Sequence, residues 1–153
     1  MIKKLILLAL PVVFFTACAT VSEMHQAVNC KYALAGVEVA DASFTNVRMN
    51  VSMAVTNESK TTAAKMNRFE GKFLINDNEV SNISFDSYQV DPSSTAIVKT
   101  ALVIPFDALG KNIAGLVIAN SMSLRYKIVG RIYFDTPLGL VPFPIVVEPP
   151  QRK

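Results

Sequence analysis

Few side chains in this sequence can do chemistry. His25 is the only histidine, and Cys18 and Cys30 are the only cysteines. One histidine and two cysteines cannot supply the four ligands of a structural zinc site, and a lone histidine gives no convincing base for a nucleophile triad. The sequence also lacks a glycine-rich phosphate loop and a nucleophile elbow. We therefore predict no catalytic residue, no metal site, no cofactor and no small-molecule substrate.

Asp77 and Glu79 flank Asn78, and such closely spaced oxygen ligands could indicate a calcium loop. A calcium loop of the EF-hand type also needs a central glycine and a distal glutamate, and neither is present at the required spacing. Asn and Asp are frequent in tight turns because they tolerate left-handed backbone and bond to nearby main chain. We predict a hairpin turn here.

Cys18 stands where an apolar run meets polar residues. Lys3 and Lys4 precede the apolar residues 5–15, and small residues follow that run. This order is typical of a secretory signal. A membrane-spanning helix needs roughly 20 apolar residues, so we predict export rather than a transmembrane anchor.

The four residues Phe15, Thr16, Ala17 and Cys18 resemble the lipobox of bacterial lipoproteins, with Phe15 where that family usually has leucine. The resemblance implies cleavage before Cys18 and attachment of a diacylglyceryl group to its sulfur as a thioether. About three fatty chains would then anchor the protein permanently, since two already anchor it stably. With Ala19 as the second mature residue, the family rule implies the outer membrane, facing the periplasm, in a Gram-negative host.

An ordinary secretory cut is the alternative. Ala17 and Ala19 also satisfy the small-x-small pattern of a signal peptidase site. Cleavage after Ala19 would discard Cys18 and release a soluble protein. If Cys18 is instead acylated, Cys30 has no partner in the chain, and it is then a free thiol, an intermolecular bridge or a small residue in a tether.

The overall charge excludes a nucleic-acid-binding class. The chain has 153 residues, which indicates one domain, with 15 basic and 12 acidic residues and a net charge of +3. Without the two N-terminal lysines the balance is nearly even, so no large basic field remains. We expect the partners to be a membrane, through Cys18, and client or envelope proteins.

Period-two alternation dominates the rest of the chain and predicts strands. Residues 96–104 are apolar on both faces, which predicts an inner strand or one covered on its second side. Pro142 and Pro144 cannot donate to a ladder, so the last strand belongs at a sheet edge. The clearest alternation places these side chains on one face: Val47, Met49, Val51, Met53 and Val55.

About seven strands and one short helix, capped by Asp107, predict a mainly β, antiparallel β-sandwich. Asp107 begins a segment with helical spacing of apolar residues between two strands. The predicted organisation is a signal peptide over residues 1–17, a lipid-anchored tether over 18–36, the sandwich over 37–149 and a solvated tail over 150–153.

Four motifs in this order resemble the late-embryogenesis-abundant type 2 (LEA-2) domain, also called the water stress and hypersensitive response (WHy) domain. They are "VEVADASFTNVRMNVSMAVTN", "FEGKFLINDNEV", "YKIVG" and "GLVPFPI". The resemblance covers residues 37–148. It departs at Asn57-Glu58, where the family usually has Asn-Pro. The resemblance implies a fibronectin-III-like or immunoglobulin-like sandwich and a role in desiccation or other stress.

Arg125, Lys127 and Arg131 form a basic strip on one face of a predicted strand. The strip could contact anionic lipid headgroups, or it could be an ordinary solvated face.

Two functions from different classes therefore remain open. The first is a non-catalytic, lipid-anchored protein that protects other proteins or membranes under desiccation or other stress. The alternative is an envelope binding or assembly module that recruits a partner protein through an exposed sheet edge.

Overall fold

The computed structural model describes residues 21–119, 123–136 and 139–150, apart from the side chains of residues 111 and 112. The predicted signal peptide and lipobox lie outside these residues. The expected mainly β fold with antiparallel sheets is confirmed. The elements in chain order are α1 (21–29), β1 (Lys31–Ala42), β2 (Asn46–Asn57), β3 (Ala64–Met66), β4 (Arg68–Ile75), β5 (Asn78–Phe85), β6 (Tyr88–Val90), β7 (Ser94–Pro105), α2 (Phe106–Ile118), β8 (Tyr126–Thr136) and β9 (Gly139–Val147).

Two main sheets form the body of the domain. One has the order β1-β2-β7 and the other the order β5-β4-β8-β9, while β3 and β6 pair separately. The described residues thus contain nine strands instead of about seven. The additional strands are β3 and β6, which have three residues each and are too short to show an alternating pattern in the sequence.

The core lies between the inner faces of the two main sheets. The predicted inner face of β2 is confirmed, because each of its five apolar side chains is completely buried. Apolar side chains of β4 and β8 face it, as expected when period-two strands bury one face each. Two aromatic contacts add specific geometry, since Phe69 meets Phe85 edge-on at 5.8 Å and Phe73 stacks on Tyr126 at 5.9 Å. The facing residues are Phe69, Phe73, Ile75, Ile128, Ile132 and Phe134.

Gly71 and Gly130 lie directly opposite each other on β4 and β8 and make room for the Phe69 ring. A Cβ added to Gly71 would lie 2.6 Å from the Val129 carbonyl oxygen and 2.8 Å from the Gly130 Cα. A Cβ added to Gly130 would lie 2.6 Å from Cζ of Phe69. The two glycines therefore allow a buried aromatic ring to sit against bare backbone where the two strands pair.

The hairpin predicted around Asn78 joins β4 to β5. Asn76 and Asp77 both have positive φ, 51° and 64°, which is the backbone of a two-residue type I′ turn. The Asn76 side chain also accepts a hydrogen bond from the Arg125 backbone N–H at 2.9 Å. The turn is thereby fixed to the chain that enters β8.

The two expectations for sheet edges had different outcomes. The placement of the Pro-bearing strand at an edge is confirmed, because β9 ends the four-stranded sheet. The expectation that residues 96–104 form an inner or doubly covered strand is wrong, because β7 is an edge strand. Ile97 and Val103 on its outer face are 51% and 53% exposed. The outer face of β7 is therefore apolar although no further layer of the domain covers it.

The ordered domain begins before Val37. Part of the predicted tether forms α1, and β1 starts at Lys31. The helix packs on the sandwich because Ala27 and Cys30 are buried and Met24 and Val28 pack against the core. A helix is recognised in a sequence by apolar residues spaced at i, i+3 and i+4. In α1 this pattern covers few residues and is interrupted by polar ones, so it is difficult to recognise.

Asn57, at the end of β2, joins α1 to two loops. Its buried amide nitrogen donates to the backbone oxygens of Thr62 at 2.9 Å, Val90 at 3.1 Å and Asp91 at 3.2 Å. Its amide oxygen accepts from Gln26 of α1 at 3.0 Å and from the Ser59 backbone N–H at 3.1 Å. A buried polar group with all its partners satisfied specifies one arrangement of the surrounding chain.

The helix between β7 and β8 differs from the prediction in its start and its regularity. Pro105 occupies the N-cap position, and Asp107 lies in the first turn, where its carboxylate accepts from the Ala108 backbone N–H at 2.9 Å. Gly110 has φ 70° and ψ 156° and breaks α2 into two pieces. The backbone leaves the helical region at this residue because glycine tolerates positive φ.

The turn between β1 and β2 carries Phe44, whose side chain is fully exposed. The Ser43 hydroxyl accepts hydrogen bonds from the backbone N–H groups of Thr45 and Asn46. The Thr45 carbonyl oxygen accepts from the Phe106 backbone N–H at 3.0 Å. The turn is therefore held in one conformation beside the start of α2.

The glycine pair predicts a specific packing cost. We expect Gly130→Ala to lower the free energy of unfolding by about 1 to 3 kcal/mol, because the added methyl overpacks the contact with Phe69. Gly36→Ala is the matched control, since no atom lies within 4 Å of its added Cβ. Urea unfolding followed by circular dichroism measures both variants. Equal stability of the two variants would show that the close approach at Gly130 is not sterically limiting.

Candidate functional site: a groove on the outer sheet face

The predicted attachment residues Phe15, Thr16, Ala17 and Cys18 lie outside the described residues, so their role stays a prediction. Within the part of the chain that is described, no helix is long and apolar enough to cross a bilayer. The same residues hold no group of three or more His, Cys, Asp or Glu side chains that could bind a metal ion.

Cys30 is a buried free thiol. Its Sγ donates to the Gln26 backbone oxygen at 3.4 Å, and burial raises its pKa to about 11. Tyr32 and Tyr88 lie close by, and burial is also the main cause that raises the pKa of each phenol. A thiol that is protonated and shielded at neutral pH is a poor nucleophile, so this environment favours a structural role for Cys30.

The predicted basic strip is not one continuous surface. The Arg125 guanidinium lies 3.1 Å from Asp77. The Lys127 ammonium lies 3.0 Å from Glu148 and 3.6 Å from Asp77. Hydrogen bonding and the charge of Glu148 raise the pKa of Lys127. These two cations are therefore compensated by acidic groups from the β4–β5 turn and the end of β9, which weakens the case for a lipid-binding strip.

Arg131 lies apart from the other two cations, in a groove of about 840 Å³. The groove crosses the outer face of the four-stranded sheet, and residues 100–103 of β7 contribute to its lining. Ligand sites in proteins commonly fall between about 300 and 1,000 Å³. A smaller cleft of about 290 Å³ lies between residues 34–37 of β1, Tyr126 and the C-terminal prolines.

Two rows of cross-strand neighbours form most of the groove surface. The strand registers place Ser84 beside Glu70, Glu70 beside Arg131, and Arg131 beside Pro144. The next row is Asn82, Lys72 and Val129, and it continues to Val146, which does not line the groove. Cross-strand neighbours lie about 4.5 to 5.5 Å apart, so each row crosses from β5 to β9 over roughly 15 Å.

Most of the charges around the groove are already paired. Glu70 lies 3.3 Å from the Arg68 guanidinium, which also sits 4.8 Å above the Tyr133 ring. The Lys72 ammonium lies 2.6 Å from Glu79. Among the described residues Arg131 has no ion pair within 4 Å, although Glu70 lies across the ladder. The groove therefore has one cation in excess.

No sequence motif singles out Asn82, Ser84 and Thr100, which line the groove. Their side chains make no hydrogen bond to the rest of the described chain, so their polar groups are available to a ligand. Alternation of polar and apolar residues in β5 could have placed Asn82 and Ser84 on the outer face. It could not have shown that β7 lies next to that face.

Comparison with known proteins identifies the fold. No family model matches the chain, and no curated protein matches its sequence. The solution structure of AT1g01470 from Arabidopsis thaliana superposes with a TM-score of 0.53 and 18% identity, over 80% of this chain and 83% of that one. The two chains share a fold. The sandwich implied by the LEA-2 resemblance is thereby confirmed as an architecture.

Weaker similarity extends to two further structures. A candidate late embryogenesis abundant (LEA) protein, At2g46140.1, gives a TM-score of 0.48 and 10% identity over 95% of this chain and 86% of that one. A protein from Archaeoglobus fulgidus gives a TM-score of 0.45 and 12% identity over 74% of this chain and 92% of that one.

The environment of Cys30 predicts a pH-dependent reactivity. In a Cys18→Ser chain, where Cys30 is the only thiol, we expect slow alkylation by iodoacetamide at pH 8 and rapid alkylation in urea. The native rate should rise toward pH 11 instead of near the usual pKa of 9.0. Mass spectrometry follows the reaction, and fast native labelling at pH 8 would contradict the burial.

The same pKa shift predicts alkaline destabilisation. Because the folded pKa of Cys30 lies above its unfolded value, its contribution to stability is present below about pH 9 and is lost as pH rises through about 11. The urea midpoint of the Cys18→Ser chain should fall over this window. The fall should be smaller in Cys18→Ser/Cys30→Ala, where the Cys30 contribution is removed and the raised pKa values of Tyr32, Tyr88 and Tyr126 still act.

Proposed function

We propose that this chain is an exported, lipid-anchored and non-catalytic protein whose LEA-2-like domain protects other proteins or membranes under desiccation or other stress. The observation that carries the proposal is an agreement between sequence and structure. The LEA-2-like motifs follow one another along residues 37–148, and the chain forms a two-sheet antiparallel sandwich. The proposed stress role comes from the family resemblance, and the observed fold is the one that this resemblance implies.

The chemistry of the described residues is compatible with a non-catalytic role. The groove holds Glu70, Lys72 and Arg131 in the open, and two of these three charges have partners within the sheet. Catalytic acids and bases usually have strongly perturbed pKa values in water-excluded clefts. The buried titratable groups here, Cys30, Tyr32 and Tyr88, lie next to α1 and are held in their neutral forms.

The lipid anchor is proposed from the lipobox resemblance of residues 15–18. The first described helix leads directly into β1, so an anchor at Cys18 would be joined to the domain by a short connection. Each buried methylene contributes about 0.8 kcal/mol to membrane binding. A diacylglyceryl group on the sulfur, with its two acyl chains, therefore suffices to hold the domain at a bilayer.

A second candidate function is the recruitment of a partner protein. The observation that favours it is the edge position of β7, a strand of 12 residues with Lys99 as its one charged side chain. Long apolar edges are usually blunted by charges, prolines or bulges, because they invite pairing with another chain. β9 has such prolines, and β7 has only Pro105 at its end.

The anchor predicts that the two cysteines behave differently. We expect the wild-type chain to sediment with membranes and to carry the added mass of a diacylglyceryl group on Cys18. Cys18→Ser should lose both properties, whereas the matched variant Cys30→Ser should keep both. Intact-mass spectrometry after detergent extraction measures the lipid and the cut site together. A soluble product that begins at Thr20 would contradict the anchor and support the ordinary secretory cut.

The protective role predicts an effect beyond that of an inert protein. We expect a labile dehydrogenase dried and rehydrated with the purified chain to retain more activity than the same enzyme dried with an equal mass of albumin. The physical reason is that a folded, hydrated surface separates the partly unfolded enzyme molecules and slows their association. Residual activity equal to that in albumin would count against protection of proteins, and vesicle leakage under the same drying tests protection of membranes.

A further inference from the structure

The groove around Arg131 offers a ligand three kinds of contact. Asn82, Ser84 and Thr100 at the β5–β7 side have free amide and hydroxyl groups. Glu70 and Lys72 of β4 occupy the middle of the surface, and the apolar lining residues lie on other strands: Val103 on β7, Val129, which is 40% exposed, on β8, and Pro144 on β9. Arg131 provides a guanidinium with no ion pair among the described residues. A matching ligand therefore has peptide-like polar groups at the β5 end, and an apolar part together with an anionic group at the β8 end.

We propose that this groove binds a short extended peptide that presents a carboxylate to Arg131. This inference rests on the partner-recruiting role proposed above and names the chemistry of the partner. Amide and hydroxyl side chains can both donate to and accept from a peptide backbone, and a guanidinium pairs with a carboxylate through two parallel hydrogen bonds.

The size of the groove fits a peptide of at least three residues. Two strand spacings separate β5 from β8 in the four-stranded sheet, which is a distance of roughly 10 Å. An extended chain rises about 3.3 Å per residue, so about three residues reach from Asn82 and Ser84 to Arg131. An extended chain is favoured over a compact small molecule, because this groove is open and would cover a compact ligand on one side only.

The charges around the groove favour a carboxylate specifically at Arg131. Lys72 is already occupied by Glu79, and Arg68 is already occupied by Glu70 and by the Tyr133 ring. Glu70 lies across the ladder from Arg131 and would repel an anion placed nearer to β4. The most favourable position for the ligand's carboxylate is therefore on the Pro144 side of Arg131.

Peptide titrations test the proposal directly. Three synthetic pentapeptides alternate Thr and Val: one has a free C-terminal carboxylate, one has a final Glu and an amidated end, and one is amidated with no Glu. The full chain is labelled with ¹⁵N and purified in detergent, and each peptide is titrated into it. Changes in the amide NMR shifts of the chain report the affinity of the peptide and the location of its binding site. We expect shifts in β5, β7 and β8 and about tenfold weaker binding of the uncharged peptide. The first two peptides distinguish a chain terminus from an acidic side chain as the source of the carboxylate.

Matched variants separate the groove from general charge effects. Arg131→Gln should weaken both carboxylate peptides about tenfold and leave the uncharged peptide unchanged. Lys127→Gln removes a cation from the same face of β8, and should change each affinity by less than about twofold because Lys127 is already paired with Glu148. Unchanged circular dichroism confirms that both variants are folded. Absence of saturable binding, or equal losses in both variants, overturns the proposal.

A crosslinking experiment in cells separates this proposal from the recruiting role. A photo-reactive residue replaces Val103 in the groove wall or Ile97 on the same face of the same strand. We expect an adduct from position 103 that Arg131→Gln abolishes. If peptides bind in vitro but no adduct forms in cells, the groove chemistry stands and the recruiting role fails. If adducts form at both positions and Arg131→Gln does not reduce them, the chain recruits a partner protein but does not bind it through this groove.

Discussion

The structure depends on one apolar contact, between the inner face of β2 and the inner faces of β4 and β8. β2 is the centre of its sheet, and its five inward side chains are completely buried. Full burial of one such side chain stabilises the folded state by about 1.5 to 3 kcal/mol. The outer strands, α1 and α2 are all positioned relative to this contact. The glycine pair on β4 and β8 belongs to it, because the Phe69 ring occupies the space that two methyl groups would otherwise fill.

The outer surface follows a different rule, since its polar groups are organised by pairing across strands. Asp77 in the β4–β5 turn faces Arg125 and Lys127 at the start of β8, and Glu148 after β9 shares Lys127. Exposed ion pairs of this kind contribute between about 0 and 1 kcal/mol each. Their main effect is on the distribution of charge, because they neutralise one end of the strand and leave Arg131 as the excess cation in the groove.

Sequence patterns predicted those parts of the fold that depend on interactions between residues close together in the chain. The alternation in β2 was sufficient to predict a strand and its inward face, because one face of the strand is buried and the other is more exposed to solvent. The Asn76-Asp77 turn was evident from residues that accept positive φ, and Pro142 and Pro144 marked an edge because they lack a donor. These features depend on neighbours within the same stretch of chain, so a single sequence contains the necessary information.

The remaining features depend on contacts between distant parts of the chain. α1 is short, and its packing depends on Gln26 meeting Asn57 and on Tyr32 donating to Ala27. The edge position of β7 is a matter of sheet order, which the apolar pattern of one strand cannot report. The pairing of Arg125 with Asp77 links residues 48 positions apart, so the sequence could not show that two of the three cations of the predicted basic strip are paired with acidic groups.

The length of β1 has a consequence for where the domain meets its surroundings. Lys31 pairs with Thr56 beside α1, and Ala42 pairs with Val47 beside the Phe44 turn, so these features lie at opposite ends of a 12-residue strand. A strand of this length spans roughly 40 Å, whereas fixed charges are screened over about 8 Å at physiological salt. If the N-terminal end is held at a membrane with β1 perpendicular to it, the Phe44 turn stands about five screening lengths away, beyond the reach of the headgroup charges.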